Sequence, residues 1–304
     1  MIAVERKEQS MINYFAEKEL ASQHAKQVTD FVMKYHSQGV DDLAHSTKIF
    51  PHIENVATPQ YHPYEAEWTL SITQETTVDA IYREASDHDG TIAALNFASY
   101  KQPGGMFLEG SKAQEECLCH ESWLYPILSS EYLQDNFYKP NRTKLNRALY
   151  HSNLLYTPGV PFIRKRDIVH ADVITCAAPN KRTAQKYQFV SDEEVSKTMY
   201  HRIDSILYAA ATMHAEILIL GAFGCGVFGN DLAEVSKIFK TLLYEKYNGC
   251  FKYVVFAIPD TPSCQTASEV LTDENSSFDK NGLEENIWQL NHRWKYLSNK
   301  GRKI

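Results

Sequence analysis

Short apolar runs alternate with amphipathic segments along most of this chain. The apolar runs predict buried strands at 69–73, 92–98, 172–179, 216–224 and 252–260. Short strands are also expected within 150–164. The intervening segments predict helices at about 76–86, 114–128, 191–214 and 231–247. Because buried strands that alternate with helices are typical of parallel sheets, the pattern predicts an α/β protein with a mostly parallel sheet covered on both faces.

Polar residues mark the starts of several predicted helices. Ser191 and Glu194 have the spacing of a capping box, in which each side chain bonds to a free backbone N–H of the first turn. Thr76 and Asp79 have the same spacing, and Asp231 occupies the cap position before 232–247. These residues define where the helices begin better than the apolar pattern does.

The two ends of the chain predict additional helices. Residues 8–36 indicate an amphipathic helix, and 40–66, rich in His and Pro, indicate an irregular connection. The apolar side of that first helix is expected to comprise Met11, Phe15, Leu20, Val28, Phe31 and Val32. A last helix is expected at about 280–293. The chain is thus predicted to be one domain over 1–304, with an N-terminal helical extension (1–65), a core (66–260) and a C-terminal helical segment (261–304).

Composition and charge exclude some classes of protein. At 304 residues with 43% hydrophobic content, the chain can bury a substantial core. The net charge of -7 argues against extensive nucleic-acid binding, which depends on clustered Lys and Arg. No run approaches the ~20 apolar residues of a membrane span, and the first residues have no apolar segment of signal-peptide type. Six cysteines without C-x-x-C spacing favour reduced thiols, so we expect a soluble cytoplasmic protein without membrane contact.

A glycine turn and a pair of carboxylates follow the strand at 92–98. Gly104 and Gly105 permit a close approach of backbone N–H groups to a ligand, and Glu115 and Glu116 open the next helix. A carboxyl group in a partly apolar cleft keeps its proton readily, as a general acid for glycosidic cleavage requires. The arrangement favours a site in which backbone N–H groups hold the phosphates of a ligand and a carboxyl group reacts beside them. A pair of glutamates is, however, also common on the solvated first turn of a helix.

A second glycine run, GAFGCGVFGND, covers 221–231. It follows the strand at 216–221 and precedes a helix N-terminus, where the backbone favours an anion. Ligands of such sheets bind beyond the carboxyl ends of the strands, which is where both glycine runs lie. The run matches neither the Walker nor the dinucleotide-binding pattern, so a plain turn and a phosphate loop both remain open.

Other candidate sites are weaker. Cys117, Cys119 and His120 form C-x-C-H, but a helix would splay these side chains, so no metal site is predicted. The basic runs at 164–166 and 181–182 are interpreted as solvated loop charges. The aromatic residues of 132–138 are interpreted as packing.

Three segments together resemble a known family. The stretch PGGMFLEGSKAQEE resembles the glycine-rich QEE signature of bacterial-type poly(ADP-ribose) glycohydrolases. LNFAS before it and GAFGCGVFGND resemble the strand that precedes the signature and the phosphate loop of that family, so the resemblance spans about 65–260. It implies a macrodomain-like three-layer α/β/α sandwich with a mixed, mostly parallel central sheet and additional N-terminal and C-terminal helices. The whole chain, 1–304, would then be a single macrodomain-like catalytic domain.

The resemblance also implies roles for site residues. Gln114 would orient the substrate, Glu115 would hold the hydroxyls of the distal ribose, and Glu116 would be the general acid/base. Asn96 would support the acidic pair beside the turn of Gly104 and Gly105. The residues that would wrap the diphosphate are Ala222, Phe223, Gly224, Cys225, Gly226 and Val227, with Phe228 against the distal ribose.

The implied activity is that of a glycosidase. It hydrolyses the ribose–ribose bonds of poly(ADP-ribose) and releases ADP-ribose, without metal or cofactor, as a monomer. Met106 stands where the signature has a third glycine, which leaves open the removal of single ADP-ribose groups from DNA bases or protein. A further alternative is a macrodomain that binds ADP-ribose without catalysis, but the intact Gln114-Glu115-Glu116 favours the enzyme.

Overall fold

The computed structural model describes residues 2–53, 57–60, 63–64 and 68–273, with side chains from residue 13 onward. The helix predicted at 280–293 lies outside these residues. None of the described helices is long and apolar enough to cross a membrane.

Within the described residues, seven strands form one sheet in the order β1-β4-β5-β3-β6-β7-β2. The strands are β1 Lys48–Phe50, β2 Thr69–Thr73, β3 Ile92–Phe97, β4 Leu154–Arg164, β5 Asp167–Cys176, β6 Ile217–Leu220 and β7 Tyr253–Ala257. β4 pairs antiparallel with β1 and with β5, and the remaining neighbours are parallel. The predicted mixed, mostly parallel sheet is confirmed.

Helices cover both faces of this sheet. The longer helices are α1 Ile2–Ser46, α2 Thr77–Asp87, α3 Gln114–His120, α4 Leu124–Leu128, α7 Lys181–Gln188, α8 Asp192–Thr212, α9 Leu232–Glu245 and α10 Thr261–Thr272. Between α4 and β4 lie the short helices α5 Glu131–Leu133 and α6 Lys139–Asn141, a π-helical turn at Gln134–Tyr138 and a 3₁₀ turn at Asn146–Ala148. One core cluster joins the sheet to α8, α9 and α10, and a second joins it to α1 through α4. The result is the three-layer α/β/α sandwich expected from the sequence.

The predicted helix caps are present. Ser191 and Glu194 form a reciprocal capping box at the start of α8, and Asp231 accepts the N–H of Glu234 at the start of α9. Thr76 accepts the N–H of Asp79 at the start of α2. Local side-chain chemistry therefore sets these three boundaries, as the sequence indicated.

Three predicted strand boundaries are wrong. The run predicted as a strand over 216–224 is a strand only as far as Leu220, because the glycines that follow turn the chain into a loop. Instead of short strands within 150–164, β4 is one long strand with an irregularity between Thr157 and Val160. Its partner β5 begins at Asp167, ahead of the apolar run that predicted it.

The single helix predicted at 114–128 is wrong, since the chain breaks into α3 and α4. Ser122 forms an isolated antiparallel bridge with Phe162 of β4. Its hydroxyl donates to the carbonyl of Leu118 at 2.6 Å and accepts the N–H of Leu124 at 3.1 Å. This tertiary pairing outweighs the helical pattern of the segment.

The first helix is longer than predicted, and its buried face matches the expected one only in part. It continues to Ser46 through a kink at His36, so the irregular segment expected at 40–66 is wrong at its start, and β1 follows directly. The expected apolar face is wrong at Phe15, Leu20 and Phe31, which are exposed, and confirmed at Val28 and Val32, which pack on the core. The side chain of Met11 lies outside the described ones. The buried positions of α1 are Ala21, Ala25, Val32, Val40 and Ala44. Small side chains at most of these positions let the helix backbone approach the rest of the protein closely.

The basic runs are not solvated loop charges at every position. The Arg164 guanidinium donates to Glu121 at 2.7 Å and to Asp79 at 2.8 Å, which ties β4 to α2 and to the end of α3. Lys181 lies in the first turn of α7 and pairs with Asp192 at 2.6 Å. The prediction of solvated loop charges is therefore wrong at Arg164 and at Lys181. By contrast, Phe137 and Tyr138 are buried, as the packing interpretation predicted.

Candidate active site

The loops after β3 and β6 meet at the carboxyl edge of the sheet. β3 and β6 are adjacent parallel strands, so both loops leave the sheet at the same edge. The rings of Phe97 and Phe223 pack with their centroids 5.7 Å apart, and a Cβ atom on Gly221 would lie 3.1 Å from the Phe97 ring. The glycine turn and the second glycine run therefore face one site, as expected for this type of sheet.

The glycine turn packs directly on the acidic pair. Gly104 and Gly105 have φ of +66° and +59°, in the left-handed region that favours glycine. A Cβ atom on Gly105 would lie 2.5 Å from Oε1 of Glu116 and 3.1 Å from Oε2 of Glu115. Met106 lies outside the left-handed region, so the backbone here does not require the third glycine of the family signature.

Glu115 is buried and fully engaged by the protein. It is 3% exposed, and its Oε2 accepts the N–H of Ser99 at 2.7 Å. Its Oε1 accepts the N–H of Gly104 at 3.1 Å and the amide of Asn96 at 3.3 Å. Burial, with a smaller contribution from the charge of the adjacent Glu116, raises the pKa of Glu115 to about 8 against the lowering effect of these donors.

Glu116 has one oxygen held and one available. The side chain is 6% exposed, and Oε1 accepts the N–H of Met106 at 2.9 Å. Among the described residues, no group donates a hydrogen bond to Oε2 of Glu116. Within the acidic pair, Glu116 is therefore the carboxylate with an oxygen free to act on a substrate.

Gln114 ties the catalytic helix to β3. Its Oε1 accepts the N–H of Phe97 at 2.8 Å, and its Nε2 donates to the carbonyl of Leu95 at 2.8 Å and to the hydroxyl of Thr77 at 3.1 Å. Both ends of the amide are thus used within the protein. This geometry makes Gln114 a positioning residue for α3, and the direct contact with substrate stays a prediction.

Asn96 supports the pair from the sheet. It is buried in β3, and its Nδ2 lies 3.3 Å from both Glu115 Oε1 and the hydroxyl of Thr175 on β5. Its Oδ1 is buried and has no hydrogen-bond partner among the described atoms. The side chain links the two parallel strands to the first acidic residue of the signature.

The second glycine run, 221–231, has one crowded glycine and one open glycine. Gly224 has φ of +73°, and a Cβ atom there would overlap Ala178 and lie 2.8 Å from Nδ2 of Asn230. At Gly226 a Cβ atom would meet nothing within 4 Å, and Gly226 and Val227 are exposed. The open backbone at Gly226 is where a ligand can approach, while Gly224 shapes the loop.

Asn230 is a site residue that the sequence analysis missed. It is buried, and its Nδ2 donates to the carbonyls of Pro179 and Gly224, each at 2.9 Å. The amide therefore closes the loop onto the segment after β5. The sequence shows only that an asparagine ends the glycine run. Its hydrogen-bond partners depend on the tertiary fold and could not be predicted.

The aromatic residues of the loop have different environments. Phe223 is buried in the core, so only its backbone can contribute to a ligand site. Phe228 is half-buried, and its ring centroid lies 6.3 Å from that of Tyr150. Tyr150 in turn stacks on Tyr100 at 4.4 Å. The sequence analysis did not identify either tyrosine, since they come from distant segments.

A buried arginine holds the segment that carries Tyr150. The Arg202 guanidinium donates to the carbonyls of Ala177 and Leu149 and to the hydroxyl of Ser152. Burial lowers the pKa of Arg202. The residues of this segment with positive φ are Asn146, Arg147, Ala148 and Tyr150. Such backbone persists only where surrounding contacts hold it, and Arg202 supplies several of them.

An apolar cleft of about 170 Å³ is lined on one side by Gln114 and Cys117, which flank the acidic pair in sequence. It lies between the start of α2, the end of β3, α3, the residues after β6 and the residues after β7. Its apolar lining includes Val78, Phe97, Ala222, Ile258 and Pro259. No adenine-binding residue could be assigned from the sequence, because this cleft is assembled from five segments that are far apart in the chain.

Comparisons with known proteins agree with this arrangement. Residues 17–165 match the model of the microbial-type PARG catalytic domain, PARG being poly(ADP-ribose) glycohydrolase. No curated protein sequence matches the chain.

The crystal structure of poly(ADP-ribose) glycohydrolase from Thermomonospora curvata is 29% identical, with a TM-score of 0.71, covering 83% of this chain and 99% of that one. The same enzyme bound to the inhibitor ADP-HPD is 30% identical, with a TM-score of 0.70 and the same coverage of 83% and 99%. The enzyme from Deinococcus radiodurans in complex with ADP-ribose is 34% identical, with a TM-score of 0.68, covering 77% of this chain and 97% of that one. The chain belongs to the microbial-type poly(ADP-ribose) glycohydrolase family.

Proposed function

We propose that this protein hydrolyses the ribose–ribose O-glycosidic bonds of poly(ADP-ribose) and releases ADP-ribose. Its relatives of this family include structures in complex with ADP-ribose and with ADP-HPD. The observation that carries the proposal is the asymmetry of the acidic pair. Both oxygens of Glu115 are engaged by the protein, whereas Oε2 of Glu116 is available to a substrate.

The site offers a place for each part of an ADP-ribose unit. The apolar cleft beside Ile258 and Pro259 would take the adenine. The open backbone of 222–227 would hold the diphosphate, and the distal ribose would lie between the acidic pair and Phe228. Because backbone dipoles rather than Lys or Arg hold the phosphates, an acidic protein can bind this anionic ligand.

Glu116 then acts as the general acid and base. Its proton passes to the glycosidic oxygen as the bond from C1″ of the distal ribose to that oxygen breaks, and the rest of the polymer leaves with a free hydroxyl. The positive, oxocarbenium-like ribose is then stabilised by the negative charge that Glu116 carries once it has given up its proton. Water attacks C1″, its proton returns to Glu116, and ADP-ribose is released. No metal or cofactor takes part in these steps.

A second candidate reaction is the removal of single ADP-ribose groups from DNA bases or protein. The observation in its favour is Met106, whose half-exposed side chain stands at the signature's third-glycine position and narrows the approach to Glu116. A non-catalytic reader is less well supported, since ligand binding alone does not need a carboxylate oxygen left free beside the ribose.

We also propose the cellular compartment, the oligomeric state and the extent of the catalytic unit. The described cysteines are free thiols, which supports a reducing, cytoplasmic setting. The protein is proposed to act as a monomer. Close packing of α1 against the signature loop supports one catalytic unit that includes the N-terminal extension.

The proposed function is tested by measuring ADP-ribose released from poly(ADP-ribose) by the purified protein. Glu116→Gln keeps the shape of the side chain but removes the transferable proton, so turnover should fall at least ~100-fold. ADP-ribose binding, followed by calorimetry, should persist. Glu109→Gln, on the same loop but exposed, is the matched control and should retain wild-type turnover. Near-normal turnover by Glu116→Gln would refute the assigned mechanism.

A further inference from the structure

A groove of about 210 Å³ separates α1 from the signature loop. We name it the α1 groove, and its lining includes Tyr14, Lys18, Met106, Ser111 and Lys112. It is distinct from the apolar cleft, which lies toward α2 and β7. The roles assigned above to adenine, diphosphate and distal ribose leave this groove without a ligand.

The α1 groove begins next to the general acid. Met106 lines the groove with its side chain and donates its N–H to Oε1 of Glu116 at 2.9 Å. A leaving group that takes its proton from Glu116 must lie beside that carboxyl group, and hence beside Met106. The groove is therefore positioned for whatever is attached to the leaving oxygen, on the far side of the scissile bond from the bound ADP-ribose.

The lining has the chemistry of a nucleotide site. Tyr14 is 61% exposed, and its ring packs against that of Phe15 in a T-shaped contact with centroids 5.7 Å apart. An exposed aromatic ring can stack on a base. Glu17 also lines the groove and pairs with Lys112 at 3.2 Å, whereas no carboxylate among the described residues pairs with Lys18. The groove thus combines an exposed aromatic ring with an ammonium group that has no ion-pair partner there.

The N-terminal wall of the groove is held in place. The hydroxyl of Ser22 donates to the carbonyl of Leu108 at 2.6 Å. Gly110 has φ of +76°, and a Cβ atom there would overlap the carbonyl oxygen of Lys18. The backbone at Lys18 therefore packs directly on the signature loop, which keeps the base of the lysine side chain next to that loop.

We propose that the α1 groove binds the nucleotide unit on the leaving side of the scissile bond, with its base on Tyr14 and its phosphate near Lys18. The inference rests on the proposed glycohydrolase function. The same chemistry arises from two sources, the next unit of poly(ADP-ribose) or a nucleotide of ADP-ribosylated DNA. Binding there would align the leaving oxygen with Glu116 and set the preference among acceptors.

The test compares three substrates that differ only on the leaving side. They are poly(ADP-ribose), a single-stranded DNA oligonucleotide with one ADP-ribosylated base, and ADP-ribose carrying 4-nitrophenol at C1″. In Tyr14→Ala and Lys18→Ala, kcat/KM should fall about tenfold on nucleotide-linked substrates, a loss typical of base stacking or a phosphate contact. On the nitrophenyl substrate, both variants should stay within about twofold of wild type, because no nucleotide occupies the groove.

Matched controls lie on the same helix. Tyr35→Ala removes a tyrosine of almost equal exposure, 60%, and Lys34→Ala removes an exposed lysine, both outside the groove. Neither should change any of the three rates. For Lys18→Ala, the difference from wild type should shrink as salt is raised, since phosphate contacts weaken with ionic strength.

The outcomes separate the two proposals. A selective loss on the polymer or on the DNA substrate supports the inference and identifies the source of the nucleotide. An equal loss on all three substrates, or no loss, overturns the inference and leaves the glycohydrolase function intact. If wild type releases ADP-ribose from neither nucleotide-linked substrate, the proposed function and the inference both fail.

Discussion

The backbone N–H of Met106 donates a hydrogen bond to Oε1 of Glu116 at 2.9 Å, so the residue at the expected third-glycine position also orients the proposed general acid. A backbone donor performs this task whatever the side chain is. The side chain, 50% exposed, is free to vary and to shape the approach to the catalytic oxygen. The main chain of Met106 therefore holds Glu116, whereas its side chain is proposed to influence which substrate binds.

Replacing Met106 with glycine tests that division. The N–H remains, so cleavage of a small leaving group should change little. Removing the side chain widens the passage between Glu116 and the α1 groove, so the ratio of activity on polymer to activity on the nitrophenyl substrate should rise. Met106→Leu keeps the bulk and serves as the control. An unchanged ratio in Met106→Gly would remove this side chain from the account of specificity.

The phosphate loop offers a paired test of binding against folding. Gly226→Val adds a side chain where the protein leaves open space, so unfolding free energy should stay within about 0.5 kcal/mol of wild type. ADP-ribose affinity, measured by calorimetry, should fall at least ~10-fold because the added methyl groups occupy the ligand's approach to the backbone. Affinity unchanged in Gly226→Val would place the diphosphate elsewhere.

Gly224→Val should have the opposite profile. Its left-handed φ and its crowding by Ala178 and Asn230 predict a loss of about 2–5 kcal/mol in unfolding free energy. Urea denaturation of both loop variants gives the comparison. Equal stability of the two variants would contradict the assigned difference between a shaping glycine and a ligand-facing glycine.

The pKa of Glu115 predicts how stability depends on pH. The folded protein raises this pKa from 4.5 to about 8, so the native state binds more protons than the unfolded state between these values. The stabilisation is fully present below pH 4.5 and is lost as pH rises through about 8. Urea unfolding at pH 5, 7 and 9 should show this decline in wild type. Position 115 cannot titrate in Glu115→Gln, so the decline should be smaller in that variant, and an equal decline would assign the effect to other groups.

The strands and the acidic site could be predicted because their determinants are local. The apolar run of β6 and the capping box of Ser191 and Glu194 act within a few residues, and so does the placement of Glu115 and Glu116 at a helix start. These features depend on neighbours in sequence, which one chain displays directly. The glycine runs belong to the same class, since a turn after a strand leads to the same sheet edge as its parallel neighbours.

The parts that were missed depend on distant contacts. The break at Ser122 requires β4 to pair with it, and the exposed face of α1 at Phe15 and Phe31 follows from how closely the opposite face packs. The stack of Tyr100 on Tyr150 and the support from Arg202 join segments with no common local pattern. Side-chain periodicity carries no information about such partners.

The docking of α1 on the signature loop has a consequence for the order of folding. Ser22 and Leu108 bond across 86 residues of sequence, and the backbone at Lys18 fills the space beside Gly110. Bringing together two residues so far apart in sequence costs conformational entropy. We therefore expect α1 to pack on the signature loop after the local helices and turns have formed. The chain therefore acquires most of its secondary structure before the catalytic turn reaches its working shape, and recovery of activity follows recovery of helix content.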